Sequence, residues 1–239
     1  AFSARHKRPL VIVNCAEITD ELAASRFFGH KKGSFTGALT DEPGFFRAAD
    51  GGVLFLDEIG ELSPRAQAHL LRVLESHVVT PVGQTREIGV DVAVILATNR
   101  NLKEAVEAGT LRPDFYDRFR TLAIHLLPLR ERPWDIPILL EHFRRLQERK
   151  HRKRTLGFTP EALRALASSA WPGNVRDLAR ACALFVIHAQ PGAPIDLALI
   201  QRCLPEVLQE SPNPKSGPLL WADLSFRDAV HQFERELLL

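Results

Sequence analysis

The sequence predicts an α/β domain built on a parallel sheet, followed by a smaller all-α domain. In residues 1–134, short apolar runs of strand length alternate with helical patterns, as expected for parallel strands joined by helical crossovers. In residues 135–208 every apolar pattern has helical spacing, and the prolines of residues 128–133 mark the boundary. A chain of 239 residues is long enough to bury the cores of both domains.

Three apolar runs, at residues 11–15, 53–56 and 92–99, predict strands that are buried on both faces of the sheet. Helices are predicted from apolar spacing and from start signals such as Thr159 followed by Pro160. Their predicted bounds are 65–76, 136–149, 160–168, 175–189 and 197–208. The remaining residues, 209–239, are predicted to be a proline-containing linker and the beginning of a further amphipathic helix.

Two carboxylates, Asp57 and Glu58, follow the second strand at its C-terminal end, where open α/β sheets place their ligand sites. An Asp in this place can hold Mg²⁺, and the adjacent Glu can polarise a water for attack on a γ-phosphate. Acidic residues also suit the N-terminus of a helix, and the strand by itself does not decide between these two interpretations.

The other two strands end in polar residues as well, the first in Asn14 and the third in Thr98 and Asn99. Because parallel strands have their C-terminal ends at one edge of the sheet, these side chains are expected to converge with Asp57. Asn99 is then placed to sense a γ-phosphate or to orient a water, although an Asn that only turns the chain is the alternative. The convergence favours a site for ATP and Mg²⁺.

Residues 33–38, with the sequence Gly-Ser-Phe-Thr-Gly-Ala, place an aromatic side chain in a polar segment between two glycines. Phe35 is exposed there unless something covers it, and flexible glycines suit a loop that grips a partner and changes position. In the alternative interpretation, Phe35 folds back onto its own subunit. Partner gripping is favoured.

These motifs resemble those of the AAA+ domain of the NtrC-type bacterial enhancer-binding proteins, the activators of sigma-54 RNA polymerase. The most specific element is the loop formed by Gly33, Ser34, Phe35, Thr36, Gly37 and Ala38, which resembles the family's GAFTGA loop. Further matches lie in order at residues 14–16, 28–30, 51–61, 97–100, 129–132 and 171–176. A different AAA+ remodeller is disfavoured because this loop is specific to sigma-54 activators.

The resemblance implies an AAA+ nucleotide-binding core followed by a helical lid. It implies an ATP-hydrolysing subunit, in a ring of six or seven, that remodels the sigma-54 RNA polymerase holoenzyme. The family's roles fall on Asp57 for Mg²⁺, Glu58 and Asn99 for hydrolysis, Asn14 as the partner of Glu58, Thr98 and Arg176 for nucleotide contact, Arg118 as the arginine finger, and Arg112 beside it.

Four residues depart from the family pattern. Ser34 and Lys31 do so in the loop and its base, which leaves the efficiency of coupling and the choice of partner open. Pro113 and Asp117 do so near the two arginines. From the residues alone, Arg112 and Arg118 would be read as surface cations paired with Asp114 or Asp117, which is the usual place of a charged residue on an exposed helix.

No phosphate-binding loop of the G-x-x-x-x-G-K-[ST] type occurs in the 239 residues, and the resemblance places that loop upstream of Ala1. The chain contains no Met and is interpreted as a fragment, expected to bind and hydrolyse ATP weakly or not at all by itself. The alternative is a non-catalytic sigma-54-binding module that has lost the phosphate loop.

Composition predicts a cytoplasmic protein without a membrane segment or a disulfide framework. No apolar run approaches the ~20 residues of a membrane span, and three widely spaced cysteines resemble reduced buried thiols. The family's helix-turn-helix is absent, so enhancer DNA is not expected to be recognised by this chain. In a chain of net charge +2, the basic run at residues 144–154 is interpreted as a solvated helix end.

Overall fold

A computed structural model of the protein describes residues 3–206 as two compact units, the first ending at Ile124 and the second beginning at His125. In chain order, the first unit contains β1 (Leu10–Asn14), α1 (Asp20–Phe28), α2 (Gly44–Ala48), β2 (Val53–Asp57), α3 (Pro64–Ser76), β3 (Val78–Val79), β4 (Ile88–Gly89), β5 (Ala93–Leu96), α4 (Leu102–Glu107) and α5 (Pro113–Phe119).

The predicted parallel sheet is confirmed, with strand order β1-β2-β5. Its strands are short continuous apolar runs, and the chain crosses between them through helices, as parallel pairing requires. The strands β3 and β4 form a separate antiparallel pair. The register of β1, β2 and β5 therefore fixes which residues lie at the carboxyl edge of the parallel sheet.

Only one face of the sheet is covered, so the prediction of strands buried on both faces is wrong for the described residues. Leu54 and Leu56 are fully buried in the core formed with α1, α2 and α3. On the opposite face, Ile12 and Ile95 flank Phe55 in the strand register and are 68% and 50% exposed. The helices of this unit pack on one side of the sheet and leave this apolar row bare.

The second unit is helical, as predicted, and contains α6 (Asp135–His151), α7 (Pro160–Ser168), α8 (Asn174–His188) and α9 (Leu197–Cys203). Its core includes Leu140, Leu166, Leu178 and Phe185, all fully buried. Leu129 is buried in the same core, so the structure divides the chain before the predicted boundary at residue 134.

Helix α9 is shorter than the predicted 197–208. Leu204 has φ −150° and precedes Pro205, whose ring disfavours helical backbone in the residue before it. The predicted linker and C-terminal helix at 209–239 lie outside the described residues. Within residues 3–206, no helix has the length and apolar character needed to cross a membrane.

Candidate functional site

The carboxyl edge of the sheet brings the predicted strand-tip residues together. Asn14, the last residue of β1, lies opposite Asp57, the last residue of β2. On the other side of β2, the Ala97 N–H donates to the Leu56 carbonyl at 2.8 Å, and Thr98 follows directly. Side chains from three strands are therefore grouped at one edge, which is where open parallel sheets bind ligands.

Glu58 has a left-handed backbone, with φ 53° and ψ 45°. This conformation costs a non-glycine residue roughly 1–2 kcal/mol, so it persists only where the surroundings fix it. They do so here, because the Asp57 Oδ1 accepts the Glu58 N–H at 3.0 Å and the Ala97 carbonyl accepts the Ile59 N–H at 3.0 Å. The left-handed residue thus ends β2 and starts the short turn at Ile59–Glu61 at the edge of the sheet.

Cys15 lies beside this edge and was missed as a site residue by the sequence analysis. Its thiol is fully buried. Burial first, and the negative charge of Asp57 second, raise the pKa of Cys15 to about 12. The thiol is therefore protonated at neutral pH.

The Asn14 side chain has a local hydrogen bond. Its Oδ1 accepts the Ala16 N–H at 3.1 Å and thereby caps the short turn at Cys15–Glu17. That bond fixes the amide at the end of β1, next to Asp57 in the register. The pairing of Asn14 with Glu58 stays a prediction, and it would require the amide to leave this bond or to use its N–H₂ group.

Arg100 ties the residues after β5 to those after β2, a role that the sequence analysis did not assign. It donates to the Gly60 carbonyl at 3.1 Å and to the Glu61 carboxylate at 2.5 Å. The Thr98 hydroxyl in turn accepts the Arg100 N–H at 3.1 Å. Asn99 remains exposed between these two residues. Arg100 therefore fixes the spacing between the Thr98 and Glu58 segments.

The two candidate arginines differ in their surroundings. Arg112 occupies the N-cap position of α5 without a capping hydrogen bond from its side chain. It holds the Asp114 carboxylate with two hydrogen bonds, at 3.0 and 2.7 Å, as expected for a surface cation paired with Asp114. Hydrogen bonding to Arg112 lowers the pKa of Asp114. Arg118 is exposed, and its one hydrogen bond among the described residues goes to the Leu74 carbonyl, at 3.5 Å. Arg118 is therefore the freer of the two cations.

In the second unit, Arg176 lies in the first turn of α8 and is exposed. Asn174 is of a residue type that commonly caps helices, but its side chain does not cap this one. Its backbone is left-handed, and its Oδ1 accepts the Leu129 N–H at 2.8 Å. At the start of α8, the backbone N–H of Gly173 donates instead to the Asp177 carboxylate, at 2.6 Å.

Residues 33–38 form a closed loop. The Gly33 N–H donates to the Ala38 carbonyl at 2.8 Å, and both Gly33 and Gly37 have positive φ, at 80° and 101°. Phe35 is 37% exposed, and its ring contacts the His30 ring edge-on, with centroids 5.0 Å apart. Phe35 thus leans on its own subunit while keeping part of its surface free.

The base of this loop is held from several sides. The His30 backbone pairs with Glu42, and its Nδ1 lies 2.7 Å from the Ser25 hydroxyl. Lys31, the departure from the family pattern, forms an ion pair with Asp41. The loop tip is therefore presented from a fixed base, with hinge freedom concentrated at its glycines.

Comparison with protein families matches residues 1–125 to the "Sigma-54 interaction domain" and residues 130–216 to the "AAA+ ATPase lid domain". Among curated relatives, the transcriptional regulatory protein ZraR of Salmonella typhimurium is 49% identical over 76% of this chain and 41% of its own length. The regulatory protein LuxO of Vibrio cholerae is 42% identical over 99% of this chain and 46% of its own length. The chain thus spans less than half of these relatives.

Among solved structures, NtrX from Brucella abortus in complex with ADP has a TM-score of 0.75 and 28% identity over 98% of this chain and 51% of that one. A second NtrX structure, in complex with ATP, has a TM-score of 0.74. Hsp104, at 22% identity and a TM-score of 0.56, shares the fold alone. The chain therefore belongs to the family of sigma-54-dependent transcriptional regulators, with a sigma-54 interaction domain of AAA+ fold followed by an AAA+ ATPase lid domain.

Proposed function

We propose that this chain is the ATP-hydrolysing ring subunit of an activator that acts in the cytoplasm and remodels the sigma-54 RNA polymerase holoenzyme through residues 33–38. One observation carries the proposal. A single compact unit holds both a carboxylate edge suited to nucleotide chemistry and a glycine-hinged loop that presents Phe35. Family membership supports the pairing of these two features.

The carboxylate edge fits Mg²⁺ and ATP. One Asp57 oxygen accepts a backbone N–H, and its carboxylate is only partly buried, which suits a cation that keeps several waters. No cluster of three or more metal-binding side chains occurs in residues 3–206, so phosphate oxygens and water would complete the coordination. Mg²⁺ would neutralise charge on the phosphates. Glu58 would then accept a proton from the attacking water, with Thr98 and Asn99 contacting the nucleotide.

The bare face of the sheet is a surface on which a segment that carries a phosphate loop would pack. Ile12, Phe55 and Ile95 form an apolar row on this face, next to the edge that carries Asp57. The helix of a strand–loop–helix segment with a phosphate loop would cover this row. Exposed apolar faces of this kind mark places where another element packs. This chain by itself is therefore expected to hydrolyse ATP weakly or not at all.

Arginines complete the proposed mechanism. Arg118, which has no carboxylate partner among the described residues, is the arginine finger that reaches the nucleotide of a neighbouring subunit in a six- or seven-membered ring. Arg112 would need to leave Asp114 to act beside it. Arg176 would contact the nucleotide from the lid of its own subunit. The fixed charge and planar fork of arginine suit a transferring phosphoryl group.

The catalytic half of the proposal is tested by ATP hydrolysis. The assay uses a version of the protein that extends about 40 residues upstream, enough for a strand, a phosphate loop and a helix. We expect Glu58→Gln to reduce the rate by roughly 10²–10⁴, the usual contribution of a general base. The matched control Glu107→Gln removes an exposed carboxylate at the end of α4, outside the contacts of the carboxyl edge, and should change the rate much less.

The partner half is tested by binding to sigma-54. We expect Thr36→Ala to abolish the complex, whereas Thr40→Ala, an exposed threonine outside the loop, should leave it intact. If the extended protein binds sigma-54 but never hydrolyses ATP, the chain is a non-catalytic binding module. If neither variant affects binding, the loop is not the sigma-54 contact.

A further inference from the structure

A groove of about 990 Å³ lies along the C-terminal half of α6 and the turn that follows it, and cations dominate its lining. We define the basic surface as five exposed cations of this segment: Arg145, Arg149, Lys150, Arg152 and Arg154. All of them except Lys150 line the groove. The proposed ATP and sigma-54 chemistry uses none of them. Their arrangement therefore needs its own explanation.

The acidic residues of the groove neutralise only one member of this surface, Arg145, which binds Glu141 at 2.6 Å. Glu141 and Glu148 are both bound to Arg144, at 2.7 and 2.6 Å, and the three side chains are only 12–16% exposed. Glu148 also accepts the Thr155 N–H at 2.6 Å and the Thr155 hydroxyl at 2.8 Å. The inward-facing arginine thus occupies the carboxylates that would otherwise balance the outward-facing cations.

Four cations are left without an acidic partner. Within the part of the chain that the structure describes, Arg149, Lys150, Arg152 and Arg154 make no ion pair. Arg149 donates only to the Arg145 carbonyl, at 3.3 Å. Four like charges held this close repel one another, so an anionic ligand at this place would be bound favourably.

The turn that carries these cations is rigid. The Lys153 N–H donates to the Glu148 carbonyl at 3.0 Å, and its ammonium donates to the Ile187 carbonyl at the end of α8 at 2.7 Å. The Gly192 N–H donates to the Arg154 carbonyl at 2.8 Å. Arg152 ends α6 with φ 50°, a conformation that favours glycine. The backbone that carries these cations is therefore fixed before binding, which lowers the backbone entropy lost on binding.

We propose that the basic surface binds the phosphate backbone of duplex DNA without reading its sequence. Arg145 and Arg149 are four residues apart, so they lie on one face of α6 about 6 Å apart along its axis, and Arg152 follows in the turn that ends the helix. Arginine forks bind phosphate oxygens in a bidentate manner, and a row of them matches a row of phosphates. This contact differs from enhancer recognition, which reads base edges.

Duplex DNA fits this surface better than other anionic partners. Within residues 149–154 the one aromatic ring is that of His151, and there is no Phe, Tyr or Trp to form a stacking platform for single-stranded bases. These residues also contain no apolar side chain of the kind that anchors protein interfaces or amphipathic membrane helices. What remains is charge presented on a fixed turn, and that is the pattern of backbone binding.

The test is the salt dependence of binding between the whole chain and a fluorescent duplex of arbitrary sequence. We expect the slope of log K against log salt to become shallower by about 3 when Arg149, Arg152 and Arg154 are all changed to Gln, about one per lost phosphate contact. Lys150→Gln alone should reduce it by about 1. The matched control changes Arg86, Lys103 and Arg202, exposed cations elsewhere, to Gln and should leave the slope unchanged.

The proposal is overturned by any of three results. The duplex fails to bind, both triple variants weaken binding equally, or vesicles with phosphatidylserine bind in place of DNA with the same dependence on the three arginines. Thermal unfolding of each variant monitors folding, and the chosen side chains make no ion pair whose loss would destabilise the described residues.

Discussion

Replacing Arg144 by Met tests the ion network beneath the basic surface. Arg144 donates to both oxygens of Glu141, at 2.8 and 2.7 Å, and to Glu148 at 2.6 Å. Met preserves most of the apolar stem and removes the charge. Both glutamates then keep their burial and lose their main cationic partner.

The expected loss of stability is about 3 kcal/mol, the lower end for breaking a buried ion pair, because the three side chains keep 12–16% of their surface exposed. Arg145→Met is the matched control on the same helix. Arg145 also binds Glu141, but its side chain is 65% exposed, so it should cost no more than about 1 kcal/mol.

The pH dependence gives the sign of the effect. Burial would raise the pKa of Glu141, but hydrogen bonds from Arg144 and then Arg145 outweigh it and lower that pKa. The pKa of Glu148 is lowered in the same manner by Thr155 and Arg144 against burial. The network therefore stabilises the fold above the ordinary glutamate pKa of 4.5, and this contribution is lost as the pH falls through the lowered folded-state values.

The assay is urea unfolding followed by tryptophan fluorescence. All three tryptophans lie at residue 134 or later, so the signal reports on the second unit and the residues after it. We expect the difference between wild type and Arg144→Met to be largest near pH 7 and to shrink below pH 4.5. A difference that is the same at both pH values, or equal for Arg144→Met and Arg145→Met, would refute the network as described.

Two further predictions concern the first unit and the thiols. Gly44→Ala should lower the thermal unfolding temperature far more than Gly109→Ala. Both residues have φ above 70°, but only at Gly44 would a Cβ lie 2.2 Å from a backbone nitrogen. Equal effects would contradict the close approach. A thiol reagent at pH 8 should modify only Cys203 in the native chain, since burial raises the pKa of Cys15 and Cys182 to about 12. Rapid modification of more than one native thiol would contradict this burial.

Much of the fold follows from local pattern. Short continuous apolar runs predicted the parallel strands, the Thr-Pro signal predicted where α7 begins, and the apolar spacing predicted where it ends. The carboxyl-edge rule predicted the convergence of Asn14 and Asp57. These succeed because backbone pairing and capping depend on neighbouring residues in sequence or on a rule common to all parallel sheets.

The remaining differences depend on tertiary contacts. An apolar strand such as β2 has the same sequence pattern whether one face or both are covered, so the bare row at Ile12 could not be foreseen. Asn174 is a good capping residue by type, but the Leu129 N–H, distant in sequence, takes its side chain. The sequence spacing allowed Arg112 to pair with Asp114 or with Asp117. The conformation of its side chain decides for Asp114.

The most direct test of the proposed mechanism separates ATP hydrolysis from partner gripping. ATP hydrolysis and ATP-dependent binding to sigma-54 are measured on the same samples of the upstream-extended protein, as wild type and as Phe35→Ala. We expect Phe35→Ala to keep its ATPase rate within about twofold, since the ring packs on His30 at the loop base and not on the strand-tip residues, and to lose the sigma-54 complex. Retained binding, or loss of both activities together, would contradict the account.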